Sequence, residues 1–192
     1  MNEKYLLHTC CAPCGIAVID ELRQSYDLSV LFYNPNIYPE SEYTKRKCDV
    51  IRVSREWNIP MIDLDGEREK WDEAVRGLED EPEGVRRCPV CFRLRLFRTA
   101  EVAAERGFQV FGSTLTSGRN KRADIIHPIG AAAAKKYGVR FHAEDWKKGG
   151  RQETAKRLSD ERCLYRQDYC GCRYSLRDRK SHRTPDKENT II

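Results

Sequence analysis

No stretch of this 192-residue chain approaches the roughly 18 consecutive apolar residues that a membrane-spanning helix needs, which excludes a helical integral membrane protein. The N-terminal MNEKYLLHTCC is too short and turns polar too early for a secretory leader. Internal repeats are missing as well. The expectation is a cytoplasmic chain that stays off the membrane. Its length is that of one domain, or one domain with a tail, and a hydrophobic fraction of 40% beside 34% charged residues is enough for a core under a solvated surface.

What the chain has in excess is cysteine: nine, an odd number. Without a secretion signal a disulfide framework is the weaker reading, and reduced thiols point to metal or redox chemistry. Charge is also uneven. Residues 1–145 hold 22 Lys and Arg against 23 Asp and Glu, whereas residues 146–192 hold 13 against 7. A basic C-terminal quarter suits a polyanion such as nucleic acid, and a solvated basic tail would look the same.

Short apolar runs alternate with longer amphipathic ones. Strands are expected at 4–8, 28–33, near 59–64, at 109–112 and at 140–143, and helices after a turn at 9–13 through about 26, over 40–57, around 67–78, over 89–107 and over 123–137. The acidic stretch 63–83, with ten carboxylates and three basic residues, reads as a solvated face. Residues 113–122 read as a polar loop. Alternation of this kind implies an α/β fold, a mostly parallel sheet with helices on both faces, in one metal-binding catalytic domain over 1–180. Residues 181–192 read as a flexible tail. In such sheets sites form where strands give way to helices at their carboxyl ends. The first cysteine cluster lies there.

Seven cysteines fall into three clusters: Cys10-Cys11-Ala12-Pro13-Cys14, Cys88-Pro89-Val90-Cys91, and Cys170-Gly171-Cys172. A C-x-x-C turn brings two sulfurs toward one metal, and a helix N-terminus lowers thiolate pKa. The glycine of C-G-C admits the tight backbone that such close ligands need. Adjacent Cys10 and Cys11 are expected to point apart and so to serve two centres. Four thiolates satisfy one tetrahedral zinc or one iron–sulfur cluster, and the remaining three leave the open position of a catalytic metal or form a redox pair. Isolated Cys48 and Cys163 read as small buried hydrophobes. The spacing C-x-x-x-C-x-x-C of radical enzymes is absent.

The chain resembles the QueH-type epoxyqueuosine reductases along nearly its whole length. The matching segments are Leu6-Leu7-His8-Thr9-Cys10-Cys11-Ala12-Pro13-Cys14, Tyr33-Asn34-Pro35-Asn36-Ile37 with Glu42-Tyr43, and Arg87-Cys88-Pro89-Val90-Cys91. Ser113-Thr114-Leu115, Asp145-Trp146-Lys147-Lys148-Gly149 and Tyr165-Arg166-Gln167-Asp168-Tyr169-Cys170-Gly171-Cys172 complete the series. The resemblance implies reduction of epoxyqueuosine to queuosine at the wobble position of tRNA, the last step of queuosine synthesis. It also implies cysteine-bound iron in place of cobalamin, and a fold like that of the adenine nucleotide alpha hydrolases with a cysteine-rich C-terminal extension. That superfamily's S-G-G-x-D-S signature is replaced after the first strand by His8-Thr9-Cys10-Cys11, which puts ATP use in question.

On this reading Cys10, Cys11, Cys14, Cys88, Cys91, Cys170 and Cys172 hold a [4Fe–4S] cluster and an additional mononuclear iron. Asp145, ahead of Asp168, is the candidate oxygen ligand. The proton-donor candidates are Tyr165, Tyr169, His8 and a metal-bound water, with a structural hydrogen bond as the plainer role for His8. Lys147, Lys148, Arg151, Lys156, Arg157, Arg166 and Arg173 are expected to meet tRNA phosphates. Tyr33, Tyr38, Tyr43 and Trp146 are candidate stacking platforms, with core packing equally open for Tyr33. An unidentified electron donor is the second expected partner. The rivals are a zinc-binding nucleic-acid module without catalysis, an ATP-using thiolation enzyme, and a disulfide oxidoreductase built on Cys88 and Cys91.

Overall fold

The structure, a computed structural model, describes residues 2–64 and 66–182. Five strands, β1 (Lys4–His8), β2 (Asp27–Phe32), β3 (Met61–Asp63), β4 (Val110–Ser113) and β5 (Arg140–Phe141), form one sheet in the order β3-β2-β1-β4-β5. Every pairing is parallel, with Leu6 opposite Ser29 on one side and Phe111 on the other. The helices are α1 (Ala12–Leu22), α2 (Glu40–Glu56), α3 (Arg68–Ala74), α4 (Arg87–Glu105), α5 (Ala123–Tyr137), α6 (Arg151–Glu161) and α7 (Arg173–His182). None of them is long and apolar enough to cross a membrane.

Two cores follow from strand alternation. Tyr5, Leu7, Val30 and Phe32 point to the face covered by α1, α2 and α6, where Ile16, Ile19, Val53 and Leu158 meet them. Leu6, Leu31 and Phe111 point to the opposite face, against Leu96, Ala100 and Ala133 of α4 and α5. The sheet is thus buried on both sides, as the apolar runs of β1 and β2 require. Gly112 is where the strands come closest to a ring, since a Cβ there would overlap the Tyr5 hydroxyl.

Several boundaries differ from the sequence expectation. Helix α1 ends at Leu22 and not near 26, because the apolar face stops there and the exposed Arg23, Gln24 and Ser25 turn the chain into β2. The 67–78 helix shrinks to α3, the 109–112 strand is shifted one residue to β4, and 140–143 to the two-residue β5. The polar loop after β4 carries a short 3-10 turn, Thr114–Ser117, capped by the Ser113 hydroxyl. Helices α6 and α7 were not expected. Of α6 only Leu158 and Ser159 are buried, too few positions to leave a periodic pattern. Of the expected tail, positions 181 and 182 close α7, and 183–192 lie outside the described residues.

Strand order reverses between β1 and β4, which opens a crevice at their carboxyl ends. His8, Thr9 and Cys10 arrive there from β1, and Ser113 and Thr114 from β4.

Candidate metal centre

All nine cysteines are free, and the seven clustered ones separate into two neighbouring groups with one thiol set deeper. In the first group the chain bends at Cys10 and is extended at Cys11, which caps α1 (φ −165°, ψ 151°). This bend breaks strand alternation, so the adjacent sulfurs do not point apart as expected: Cys10 Sγ and Cys11 Sγ lie 3.9 Å apart. Hydrogen bonds from Cys11 and Cys14 hold the Cys10 thiol well below its usual pKa. The same contacts push Cys11 up, and the bond to Cys10 pushes Cys14 to about 12. The three thiols therefore titrate as one coupled unit, with Cys10 the most acidic of them.

The second group comprises Cys88 and Cys91 in the first turn of α4 and Cys170 from the C-terminal segment, which acts electrostatically on both of them. Gly84 N donates to Cys88 Sγ at 3.1 Å, and Lys121 Nζ donates to Cys170 Sγ at 2.8 Å. Burial, not the helix N-terminus, dominates here. It pushes Cys88 up to about 11 and raises Cys91 as well, opposite to the lowering that the helix position predicted. Cys172 is buried with Cys91, Trp71 and Val75, in contact with the Ser175 hydroxyl at 3.4 Å. Between Cys170 and Cys172, Gly171 has φ +127°, a conformation only glycine takes without strain. Cys48 and Cys163, expected to be buried, are both exposed.

Two cavities of about 430 and 400 Å3 adjoin above these groups and share Cys14, Ser117, Arg119 and Gln167 in their walls. Cys10, Cys170, Lys121, Arg46, Asp168 and Tyr169 line the smaller one. Lys147, Arg151, Lys156, Arg166 and Trp146 line the larger one. Thiols and cations that the sequence separates by up to 160 positions therefore face one cleft.

Buried cations and amides organise it. Arg46, 2% exposed, is paired with Glu42 at 2.7 Å and donates to the carbonyls of Cys170 (3.1 Å) and Tyr169 (3.2 Å), fixing the C-G-C turn. Gln167 Nε2 donates to Cys11 Sγ (2.9 Å) and Cys14 Sγ (3.3 Å). Arg95 is buried on α4 with its Nε bonded to the Cys91 carbonyl at 3.3 Å. Sequence reasoning missed all of these as site residues, along with Lys121. The i, i+4 spacings Glu42–Arg46 and Cys91–Arg95 were the available signal.

Among the described residues no three Cys, His, Asp or Glu side chains already stand as a ready ligand sphere. The cleft nevertheless fits a thiolate-bound metal in two respects. Its walls carry soft sulfurs from two segments, Cys10 and Cys14 beside Cys170. Around it Thr9 Oγ1, Thr114 Oγ1, Arg95 Nη2 and Gln167 Oε1 are buried with no hydrogen-bond partner, a set of unmet polar groups that a bound group would satisfy.

The other expected residues fall as follows. His8 is fully buried, its Nδ1 2.8 Å from Ser113 Oγ and its Nε2 3.0 Å from the Tyr33 carbonyl, and burial lowers its pKa to about 4. Tyr165 donates to Glu42 at 2.6 Å and Tyr169 to the Tyr38 carbonyl; burial raises both to about 12. Asp145 bonds the Lys147 backbone at 3.4 Å, while Asp168 pairs with Arg179 and lies in the thiol-lined wall. Arg173 pairs with Asp72 on α3, and Arg157 with Glu161. Of the candidate platforms, Tyr33, Tyr43 and Trp146 are buried, leaving Tyr38 exposed.

The profile of the family described as "Epoxyqueuosine reductase QueH" matches residues 5–178. The chain is 43% identical over 192 residues to the epoxyqueuosine reductase QueH of Histophilus somni, covering 99% of itself and 79% of that protein. To the protein of the same name from Acinetobacter baylyi it is 43% identical, covering 92% of itself and 82% of the relative. To that of Thermotoga maritima it is 39% identical, covering 91% of each. A predicted subunit of tRNA methyltransferase from Methanocaldococcus jannaschii shares the fold, with a TM-score of 0.54 at 10% identity over 82% of this chain and 76% of that one.

Proposed function

The chain belongs to the epoxyqueuosine reductase QueH family, and from that premise we propose that the thiol-lined cleft between β1 and β4 is where this reductase acts on the wobble nucleoside of tRNA. The reaction converts the epoxide to an alkene and releases its oxygen as water, consuming two electrons and two protons. The observation that carries the assignment is the meeting of Cys10 and Cys14 with Cys170, from opposite ends of the sequence, in the wall of one crevice, with Cys88 and Cys91 near enough to feel the charge of Cys170.

We assign Cys88, Cys91 and Cys170, with the deeper Cys172 beside Cys91, to one iron centre and Cys10, Cys11 and Cys14 to the other, a division that suits a [4Fe–4S] cluster beside a mononuclear iron. Iron held by these cysteines would supply one-electron transfer and Lewis acidity toward the epoxide. Asp168, which lines the same cavity as Cys10, Cys14 and Cys170, is better placed than Asp145 to be an oxygen ligand. Gln167 orients Cys11 and Cys14, and Arg46 orients the Cys170 turn.

Of the three side-chain proton-donor candidates, Tyr169 lines the cleft and is the one we assign to the leaving oxygen. Tyr165 supports the site through Glu42, whose other oxygen holds Arg46. His8 ties the strand ends together. Lys147, Arg151, Lys156 and Arg166 around the larger cavity would hold the anticodon-loop phosphates while the modified base enters the smaller one.

Anaerobic purification with iron, sulfide and zinc analysis tests this, followed by reduction assays on tRNA carrying epoxyqueuosine. Four or five irons per chain are expected, with activity lost in Ser variants of the seven clustered cysteines and kept in Cys48→Ser and Cys163→Ser. A colourless zinc protein, or loss confined to Cys48→Ser or Cys163→Ser, would overturn the site assignment.

A further inference from the structure

Arg95 presents an unusual charge balance. Its side chain is 2% exposed, and no carboxylate is paired with it among the described residues. A buried guanidinium without a counter-ion is strongly disfavoured, because its lost hydration must be replaced by nearby negative charge. The negative groups that act on Arg95 are thiols: Cys91, Cys10 and Cys170, one from each cluster. Its Nη2 is buried without a partner. A second cation lies close by. Lys121, on the loop after β4, donates to Cys170 Sγ at 2.8 Å and feels the charge of Arg95. The two like charges stand together, which is tolerated only where anionic charge lies between or beside them. Arg46 differs, since Glu42 already neutralises it.

We propose that Arg95 and Lys121 are positioning residues that compensate the negative charge of the thiolate-bound redox group and so hold its reduction potential up. The idea rests on the assignment of cysteine-bound iron to this cleft. Each electron that an external one-electron reductant delivers adds one negative charge to a group already made anionic by its thiolates. Two fixed cations in a low-dielectric setting stabilise that reduced form more than the oxidised one. Two such electrons, with two protons, meet the demand of epoxide reduction. The same charges hold all three cysteine segments against mutual repulsion, so Arg95 also joins α4, the start of α1 and the C-terminal segment electrostatically.

The test is a redox titration of the anaerobically purified full-length protein, followed by its visible spectrum, in the parent and in Lys121→Gln, Lys121→Arg, Arg95→Gln and Arg95→Lys. Iron content is measured on each sample. The neutral variants are expected to lower the midpoint potential by at least about 59 mV, a tenfold change in the one-electron equilibrium constant. The charge-conserving variants should stay near the parent. Lys121 sits on a loop and is half-buried, so its variants report even if Arg95→Gln fails to fold. Unchanged potentials in Lys121→Gln at full iron content would overturn this inference alone. A parent protein with no redox-active iron would overturn it together with the assignment of the cleft, and the parent's spectrum by itself separates the two cases.

Discussion

Gln167 Nε2 donates to Cys11 Sγ at 2.9 Å and to Cys14 Sγ at 3.3 Å, so one amide from the C-terminal segment clasps two thiols from the start of α1. The contact joins the cysteine-rich extension to the sheet's switch point, and it adds an amide donor to thiols that otherwise bond only one another. Gln167→Leu removes both donors at similar volume and should lower the iron retained after anaerobic desalting. Gln167→Glu should lower it further, because a carboxylate then faces thiolates. If both variants keep the parent's iron content, the amide holds nothing that matters to metal retention.

His8 makes stability depend on pH. Its imidazole is completely buried, and burial lowers its pKa to about 4, against about 6.5 in an unfolded chain. The folded state therefore binds fewer protons than the unfolded one between these values, and stability falls as pH drops through the window. The loss amounts to on the order of 3 kcal/mol for this group and is complete below pH 4. Urea midpoints of metal-free, reduced protein at pH 7 and pH 4.5 measure it. His8→Gln should be weaker at pH 7 and show a smaller drop; an equal drop would assign the effect to carboxylates elsewhere.

Much of the architecture was legible because the buried parallel strands are written as apolar runs. Residues 4–8 were read to the residue, and 123–137 likewise, since the Gly138 stop in left-handed conformation follows a clear helical period. Helices α6 and α7 were not legible. They carry charge on half or more of their positions and gain their order from contacts such as Leu158 on α1 and Arg173 on Asp72, which a single sequence does not encode locally. At the site, cysteine spacing revealed the thiols but not their partners. Arg46, Arg95 and Lys121 look like surface cations in the sequence, and only folding shows which of the 35 basic residues face sulfur. The pKa expectation for Cys88 and Cys91 failed for a related reason. The helix N-terminus was visible, and the burial that outweighs it was not.

Gly112 leaves room over β4 for the Tyr5 ring. Because a Cβ there would overlap the Tyr5 hydroxyl, Gly112→Ala should cost roughly 1–3 kcal/mol through forced movement of the ring. Tyr5→Phe alone removes the overlapping oxygen and the 3.2 Å contact to His142 Nδ1. In the double variant the two costs should add to less than their sum, since Phe relieves part of the clash. Strict additivity in thermal or urea unfolding would show that the strand accommodates alanine some other way.

Binding of tRNA separates the cations that line the cleft from those that merely enrich the C-terminal region. Lys156 and Arg166 line the larger cavity and share a single carboxylate, Asp160, so the pair keeps a net positive charge toward a ligand. Arg173 is bonded to Asp72 by both carboxylate oxygens and is absent from the cavity wall. Each phosphate contact to single-stranded nucleic acid contributes a slope of about 0.7 to the fall of log affinity with log salt. Lys156→Gln and Arg166→Gln should therefore each flatten the slope by about that amount while leaving iron content unchanged, and Arg173→Gln should leave it as it was. Titrations of tRNA at three salt concentrations decide the matter. A flattened slope in Arg173→Gln with none in the other two would move the RNA surface from α6 to the start of α7, away from the thiols.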